Sequence, residues 1–268
     1  MTVRLRDLLL GLRDLRLGLA PVIVHSSLSA FGSVEDGAET VVQALVSVFP
    51  TLLVPTFTYK TMVTPRTGPP DNAITYGAEA DLNRMAEFFT PRMPADALMG
   101  IIPETLRKHP RARRSSHPIQ SFAGINAESF LDSQTMDDPL GPLGALEKED
   151  GWAVLLGVDH TVNTSIHYAE KLAGRRTFVR WALTPKGVRE CPGFPGCSAG
   201  FQVIAPEMQK YTRSSRVGTA LLQAVPLKML FKVVIARIRQ DPLALLCRQE
   251  DCERCMEIRR GASEALVL

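Results

Sequence analysis

A threonine, a histidine and a glutamate stand at three-residue intervals in GVDHTVNTSIHYAEKLAG, residues 157–174. If a helix starts near Asn163 or Thr164, then Thr164, His167 and Glu170 fall at i, i+3 and i+6. Lys171 lies four residues after His167, so all four share one face near the helix start. A neutral imidazole takes up a proton near neutral pH, and a carboxylate on its other nitrogen fixes the tautomer. A hydroxyl or an N-terminal amide receives developing oxyanion charge. The same spacing also suits a solvated helix carrying an exposed His–Glu pair.

Two further stretches carry polar groups where ligands bind. In VIVHSSLSAFG, residues 22–32, an apolar β-like run ends on His25, Ser26 and Ser27. Ligands of α/β proteins sit just beyond the carboxyl ends of strands, where tight turns present backbone N–H groups, although serines there also simply cap a turn. In RRSSHPIQSF, residues 113–122, Arg114, Ser115, Ser116 and His117 precede a proline that forces extended backbone. That set suits phosphates, and equally a solvated charge run with a turn histidine. The motifs GxxxxGK[ST], GxGxxG after a strand and HExxH are missing from the sequence, so nucleotide hydrolysis, Rossmann redox chemistry and zinc proteolysis lose support.

The elements that must position these groups follow from periodicity. Leu5, Leu8, Leu9, Leu12 and Leu15 recur at helical spacing over residues 3–16 and predict a docking helix. PVIVHSS predicts a buried strand, a helix follows from about Asp36 to Val48, and TLLVPTFTY predicts a second strand, an order that implies a parallel sheet. Residues 60–94 are rich in Thr, Pro, Gly and Asp and predict a long irregular loop. A helix is expected from Ala95 to about Lys108, strands at SFAGIN and WAVLLGV, and a helix over Thr164–Leu172. After Arg176 the segments TFVRWALT, GVREC and SRVGTALLQAVPLKML predict antiparallel strands with connecting pieces, closed by a helix through VVIARIRQ.

The chain of 268 residues fits one large α/β domain, 1–268, with an α/β cofactor-binding part over about 1–175 and a more antiparallel part over about 176–268. Its 31 basic and 28 acidic residues, net charge +3, argue against nucleic acid. No apolar run is long enough to span a bilayer, and MTVRLRDLLLGLRDLRL is unlike a signal peptide, so a cytoplasmic protein is expected. Five cysteines argue against a disulfide framework and leave free thiols or a metal. Cys247, Cys252 and Cys255 form C-x4-C-x2-C, and Cys191 or Cys197 completes a four-thiolate zinc set; reduced, unliganded cysteines fit the sequence at least as well.

HSSL after the first strand, PTFTY at the second, MPADALMGIIPETLRKHPRARRSSHP, DPLGPLGALEKEDGWAVLLGV, and HTVNTSIHYAE followed by GCSAGF occur in an order that resembles the aminoglycoside 3-N-acetyltransferase family, over roughly residues 20–205. The resemblance implies that family's own single-domain α/β fold, a mixed central sheet flanked by helices, distinct from the small histone-type acetyltransferases. It implies acetyl-CoA as cosubstrate and transfer to the 3-amino group of aminoglycoside antibiotics, a resistance activity; some members act on other amines or use other acyl-CoA donors. By resemblance His167 is the general base, Glu170 an orienting or substrate-binding carboxylate, and Thr164 an oxyanion stabiliser. His25, Ser26 and Ser27 hold the pantetheine and pyrophosphate end of CoA, with Arg114, Ser115, Ser116 and His117 as a second phosphate wall, and Tyr59 lines the acceptor side. The transfer is direct, with no acyl-enzyme.

Carboxylates to receive a polycationic acceptor would come from Asp71, Glu79, Asp81, Asp159 and Glu170, with Lys60, Arg66 and Lys171 close by in sequence. Partners are then CoA and a small amine, with no nucleic acid and no membrane, and a homodimer is left open. Two alternatives stand beside this reading: an acyl-CoA N-acyltransferase on a different amine metabolite, and a hydrolase pairing Ser26 or Cys197 with His167.

Overall fold

The computed structural model describes residues 2–77 and 83–265. Its centre is a 7-stranded sheet of order β11-β12-β8-β2-β4-β7-β6. The strands are β2 (Val22–Ser26), β4 (Leu52–Pro55), β6 (Arg113–Arg114), β7 (Phe122–Ile125), β8 (Trp152–Leu156), β11 (Arg213–Val217) and β12 (Ala220–Pro226). β2 runs parallel to both β4 and β8, and the outer pairs β4–β7, β7–β6, β8–β12 and β12–β11 are antiparallel. The expected parallel sheet is therefore only its three-stranded middle. A small sheet of β5 (Met62–Val63), β9 (Phe178–Thr184) and β10 (Gly187–Phe194) lies apart from it, and β1 (Thr2–Val3) pairs with β3 (Ser33–Val34). The antiparallel half is thus split: β11 and β12 complete the central sheet, and β9 and β10 form another.

Strand alternation sorts the core onto two faces. Val22, Val24, Leu52, Val54, Val154 and Leu156 point to one face, covered by α1 (Leu5–Asp14), α2 (Ala38–Val48) and α3 (Ile101–Lys108). Ile23, Leu53, Ala153 and Val225 point to the other, covered by α4 (Gly141–Lys148), α5 (Ser165–Leu172) and α6 (Leu227–Gln240). The heptad-like leucines of α1 behave as read: Leu8, Leu12 and Leu15 are fully buried, each such side chain contributing about 2 kcal/mol. Asp7 reaches back to the Arg4 backbone N–H at 2.9 Å and closes the start of that helix.

Three boundaries differ from the sequence expectation. The regular strand of the PTFTY segment ends at Pro55, although the Thr56 and Thr58 backbone N–H groups still bond the Ser121 and Ile119 carbonyls in the register of the β4–β7 pair. The helix expected from Ala95 begins only at Ile101, after a 3-10 turn at Ala97–Met99 whose start Asp96 caps. PLKML belongs to α6, whose proline at position 226 ends β12 and starts the helix. A last helix, α7 (Glu253–Ala265), was unforeseen. No described helix is long and apolar enough to cross a membrane.

Gly157 fixes how the chain leaves β8 toward the residues of the GVDHTVNTSIHYAE stretch. Its φ is +66°, and a Cβ there would stand 2.2 Å from the Ala30 Cβ. Left-handed backbone and overpacking add, so Gly157→Ala should cost roughly 2–4 kcal/mol. Urea unfolding monitored by circular dichroism checks this, and a variant as stable as the parent contradicts it.

Candidate functional site

A cleft of about 830 Å³ opens where β8, β2 and β4 end. Each parallel strand delivers residues to it: Ser26 and Ser27 at the end of β2, Pro55 and Phe57 at the end of β4, and Val158, Thr161, Val162 and Thr164 after β8. This is the crevice at the carboxyl ends of parallel strands in which α/β proteins bind ligands. The start of α3, through Leu98, Met99, Gly100 and Ile101, forms another side, and Phe194, Pro195, Gly196 and Ser198 after β10 form a third. Leu98, Ile101 and Val162 are exposed at the mouth, giving it an apolar rim.

His167 stands in the wall of the cleft near the start of α5 and is 9% exposed. Its Nδ1 lies 2.8 Å from Glu170 Oε2, and the other carboxylate oxygen, Oε1, accepts from Arg175 Nη1 at 2.6 Å. Arg175 is anchored in turn by donating to the Pro242 and Ala244 carbonyls at 2.8 and 2.7 Å. A carboxylate only accepts, so Nδ1 carries the hydrogen, and in the tautomer this selects the lone pair is on Nε2. Phe201 packs edge-on against the imidazole with centroids 4.7 Å apart, which closes the remaining rotational freedom of the ring. Thr164 also lines the cleft, one turn before His167, and its carbonyl accepts the His167 backbone N–H at 3.1 Å.

His25 and Ser26 face the same cleft and are bound differently. His25 Nε2 and Ser26 Oγ are buried and have no protein partner. Burial, and secondarily His160, holds the His25 pKa down to about 3, so its ring is neutral. Ser27 has its backbone N–H on the Leu156 carbonyl at 3.0 Å, continuing the β2–β8 ladder, and its hydroxyl against that of Ser29 at 3.0 Å. Tyr59 lines the cleft too, its phenol pushed up to about 12 by burial, against the opposing pull of Arg254.

The expected second phosphate wall is not at the cleft. Arg114 is consumed inside the protein: it donates to Ser121 Oγ at 3.0 Å, to the Thr56 carbonyl at 2.6 Å and to the Met93 carbonyl. Ser115 Oγ accepts the Phe122 N–H, His117 Nδ1 accepts from Ile119 and Gln120 in a tight turn, and Ser116 is exposed. None of the four lines the cleft. Glu170 is corrected as a substrate carboxylate, since both its oxygens are taken by His167 and Arg175. Lys171 turns away to Asp138 at 2.9 Å. Asp71 pairs with Arg260 at 2.7 Å, and Asp159 is an exposed cap on the Thr161 N–H at 2.9 Å. Glu79 and Asp81 lie outside the described residues.

Neither proposed hydrolase nucleophile is assembled. The Ser26 hydroxyl has no hydrogen-bond partner, and Cys197 Sγ lies among other sulfurs, accepting the Ala199 N–H at 3.4 Å. Sequence reasoning missed Arg254, which lines the cleft from α7 and donates to the Gly196 carbonyl at 2.9 Å. Its only local mark was a place between two cysteines. The apolar side at Leu98–Ile101 was missed as well, because those residues read as helix interior.

The buried histidines make stability depend on pH. His25 and His117, held near 3 and 4 mainly by burial, and His160, lowered likewise, stay neutral in the fold while the unfolded chain protonates near 6.5. The unfolded state therefore binds more protons as pH falls below 6.5, and stability drops by about 1.4 kcal/mol per pH unit for each such histidine. Urea unfolding at a series of pH values should show this slope, and His25→Asn should flatten it by one proton's worth. An unchanged slope in the variant contradicts the assignment.

Comparisons with known proteins agree with this geometry. Residues 23–239 match the family described as aminoglycoside 3-N-acetyltransferase. Aminoglycoside N(3)-acetyltransferase III of Salmonella sp is 34% identical over 220 residues, 72% of this chain and 75% of its own length. The prophage-derived aminoglycoside N(3')-acetyltransferase-like protein YokD of Bacillus subtilis (strain 168) is 33% identical over 159 residues, and the match spans 56% of this chain and 57% of that relative. Among solved structures, the apoenzyme of aminoglycoside acetyltransferase AAC(3)-IVa superposes with a TM-score of 0.77 at 24% identity, covering 97% of this chain and 98% of that one. The binary complex of AAC-IIIb with CoASH gives 0.73 at 22%, covering 90% and 97%. With the family matched over most of its length and the α/β fold shared throughout, this chain belongs to the aminoglycoside 3-N-acetyltransferase family and is an acetyltransferase of that type.

Proposed function

We propose that the protein transfers an acetyl group from acetyl-CoA to the 3-amino group of an aminoglycoside, with His167 as general base. The observation that carries this reading is the His167–Glu170–Arg175 chain in the cleft wall, which engages Nδ1 and leaves Nε2 as the nitrogen available to take up a proton. The acceptor amine, having shed its ammonium proton to solvent, attacks the thioester carbonyl. Its remaining surplus proton passes to Nε2 as the C–N bond forms, and the C–S bond then breaks to release CoA thiolate. Thr164, beside His167, is the hydroxyl placed to donate to the oxyanion.

The unpartnered His25 Nε2 and Ser26 Oγ fit a ligand rich in amides, as pantetheine is, because buried polar atoms without protein partners are otherwise rare. The apolar rim of Leu98, Ile101 and Val162 would cover its methylene segments. Five free cysteines and a demand for acetyl-CoA fit work in the cytoplasm.

A second reading concerns the acceptor alone. Among the described residues no carboxylate lines the cleft, and its one fixed charge is Arg254. A polycation has few partners there, and unpaired charges are costly to desolvate. The acceptor range is thus narrow: one class of aminoglycoside, or a related amine with fewer charges.

His167→Ala should lower the transfer rate by about 100- to 10,000-fold while leaving CoA affinity near that of the parent. Thiol release with acetyl-CoA and isothermal titration with CoA read the two quantities separately, and near-parental turnover would falsify the base assignment. The same assay across aminoglycosides and monoamines decides the acceptor. Thiol release with monoamines only would remove the aminoglycoside and leave the base in place.

A further inference from the structure

Behind one wall of the cleft, four sulfurs converge from three separate parts of the chain. Cys197 comes from the loop after β10, Cys247 from the segment between α6 and α7, Cys252 from the residue preceding α7, and Cys255 from its first turn. We propose that Cys197, Cys247, Cys252 and Cys255 bind one Zn²⁺ as a four-thiolate structural site that builds one wall of the cleft.

The geometry fits the metal. The four Sγ atoms all lie within 4.8 Å of one another. A zinc tetrahedron with bonds of about 2.3 Å spaces its sulfurs at about 3.8 Å, so small side-chain rotations close the site. Cys247 and Cys255 are buried while Cys197 and Cys252 are partly exposed, which gives a protected centre with an entry side. A single buried cysteine is an ordinary small apolar filler, but four thiols meeting edge to edge are not. Binding releases the four thiol protons and leaves a net charge of −2 on the centre. A donor to that charge is at hand, the Ala199 N–H on Cys197 Sγ at 3.4 Å, and the Arg259 guanidinium fixes the backbone at Cys247 by donating to its carbonyl. Cys191 is excluded, its thiol directed at the Arg189 carbonyl at 3.7 Å.

The site reaches the cleft through its own sequence neighbours. Gly196 and Ser198 flank Cys197, and Arg254 lies between Cys252 and Cys255; all three line the cleft. The metal would therefore fix both the Phe194–Ser198 segment and the one guanidinium in the lining, independently of which acceptor the enzyme uses.

The test uses the full chain purified in reductant, without chelator, from zinc-supplemented medium. Mass spectrometry of the metal should give about one zinc per chain. Cobalt(II) exchanged into the parent protein should show the intense thiolate-to-cobalt charge transfer of a tetrahedral tetrathiolate. Cys252→Ser and Cys255→Ser should lose stoichiometric zinc, Cys191→Ser should keep it, and a strong chelator should lower the Tm until zinc is restored. If the serine variants do not fold, the cobalt spectrum of the parent decides. Sub-stoichiometric zinc with all four thiols free or disulfide-bonded in the native protein overturns the proposal, as does loss of zinc in Cys191→Ser equal to that in Cys255→Ser.

Discussion

A carboxylate closed off from water between an imidazole and a guanidinium is the constraint on which this site depends. Glu170 is 5% exposed and Arg175 is 9% exposed, and burying either charge alone would cost several kcal/mol. The pair is tolerable because its charged ends are hydrogen-bonded: Glu170 accepts from both neighbours, and Arg175 reaches two backbone carbonyls just beyond α6. The chain of contacts runs from the 242–244 segment, through the end of α5, to the nitrogen that faces the cleft. Orientation of the base is therefore set by packing remote from the substrate, so the ring needs no reordering when a ligand arrives.

The rest of the cleft is built on the same economy of charge. His25 is kept neutral by burial, the tyrosine phenol is kept protonated, and among the described residues the only fixed charge in the lining is Arg254. In such a low-dielectric space a proton moving to His167 and a charge growing on an oxyanion are felt strongly, because few other charges screen them. Three parallel strands ending side by side provide the opening, and the antiparallel strands outside them close the sheet without adding polar groups to it.

Much of this was legible in the residues. The strand at VIVHSS, the α1 leucine stripe, the WAVLLGV strand and the His–Glu helix all lie where period and spacing put them, because each is a local pattern read by one layer of packing. The errors share a different cause. Arg114 looked like a ligand for phosphate because a sequence shows a side chain's charge and not its distance from backbone carbonyls 21 and 58 residues away. Asp71 looked like an acceptor carboxylate for the same reason, its partner being 189 residues distant. Arg254 was invisible as a cleft residue because α7 folds back from the far end of the chain.

The buried Arg114 staple also shapes how this protein can change. Its guanidinium ties the 91–93 backbone to Thr56 and Ser121, while β5 holds the other end of the same excursion against β9. The described stretches 63–77 and 83–91 are thus tied at their outer ends, and Asn72 ties the first again by exchanging bonds with Val179 and lending its carbonyl to Arg180. Lengthening such a span costs only about 0.6 kcal/mol per doubling, since closure entropy grows with the logarithm of length. Length changes are therefore tolerable only between these anchors, because one that displaced Asn72 or the 91–93 carbonyls would strip buried hydrogen bonds from Arg180 or Arg114.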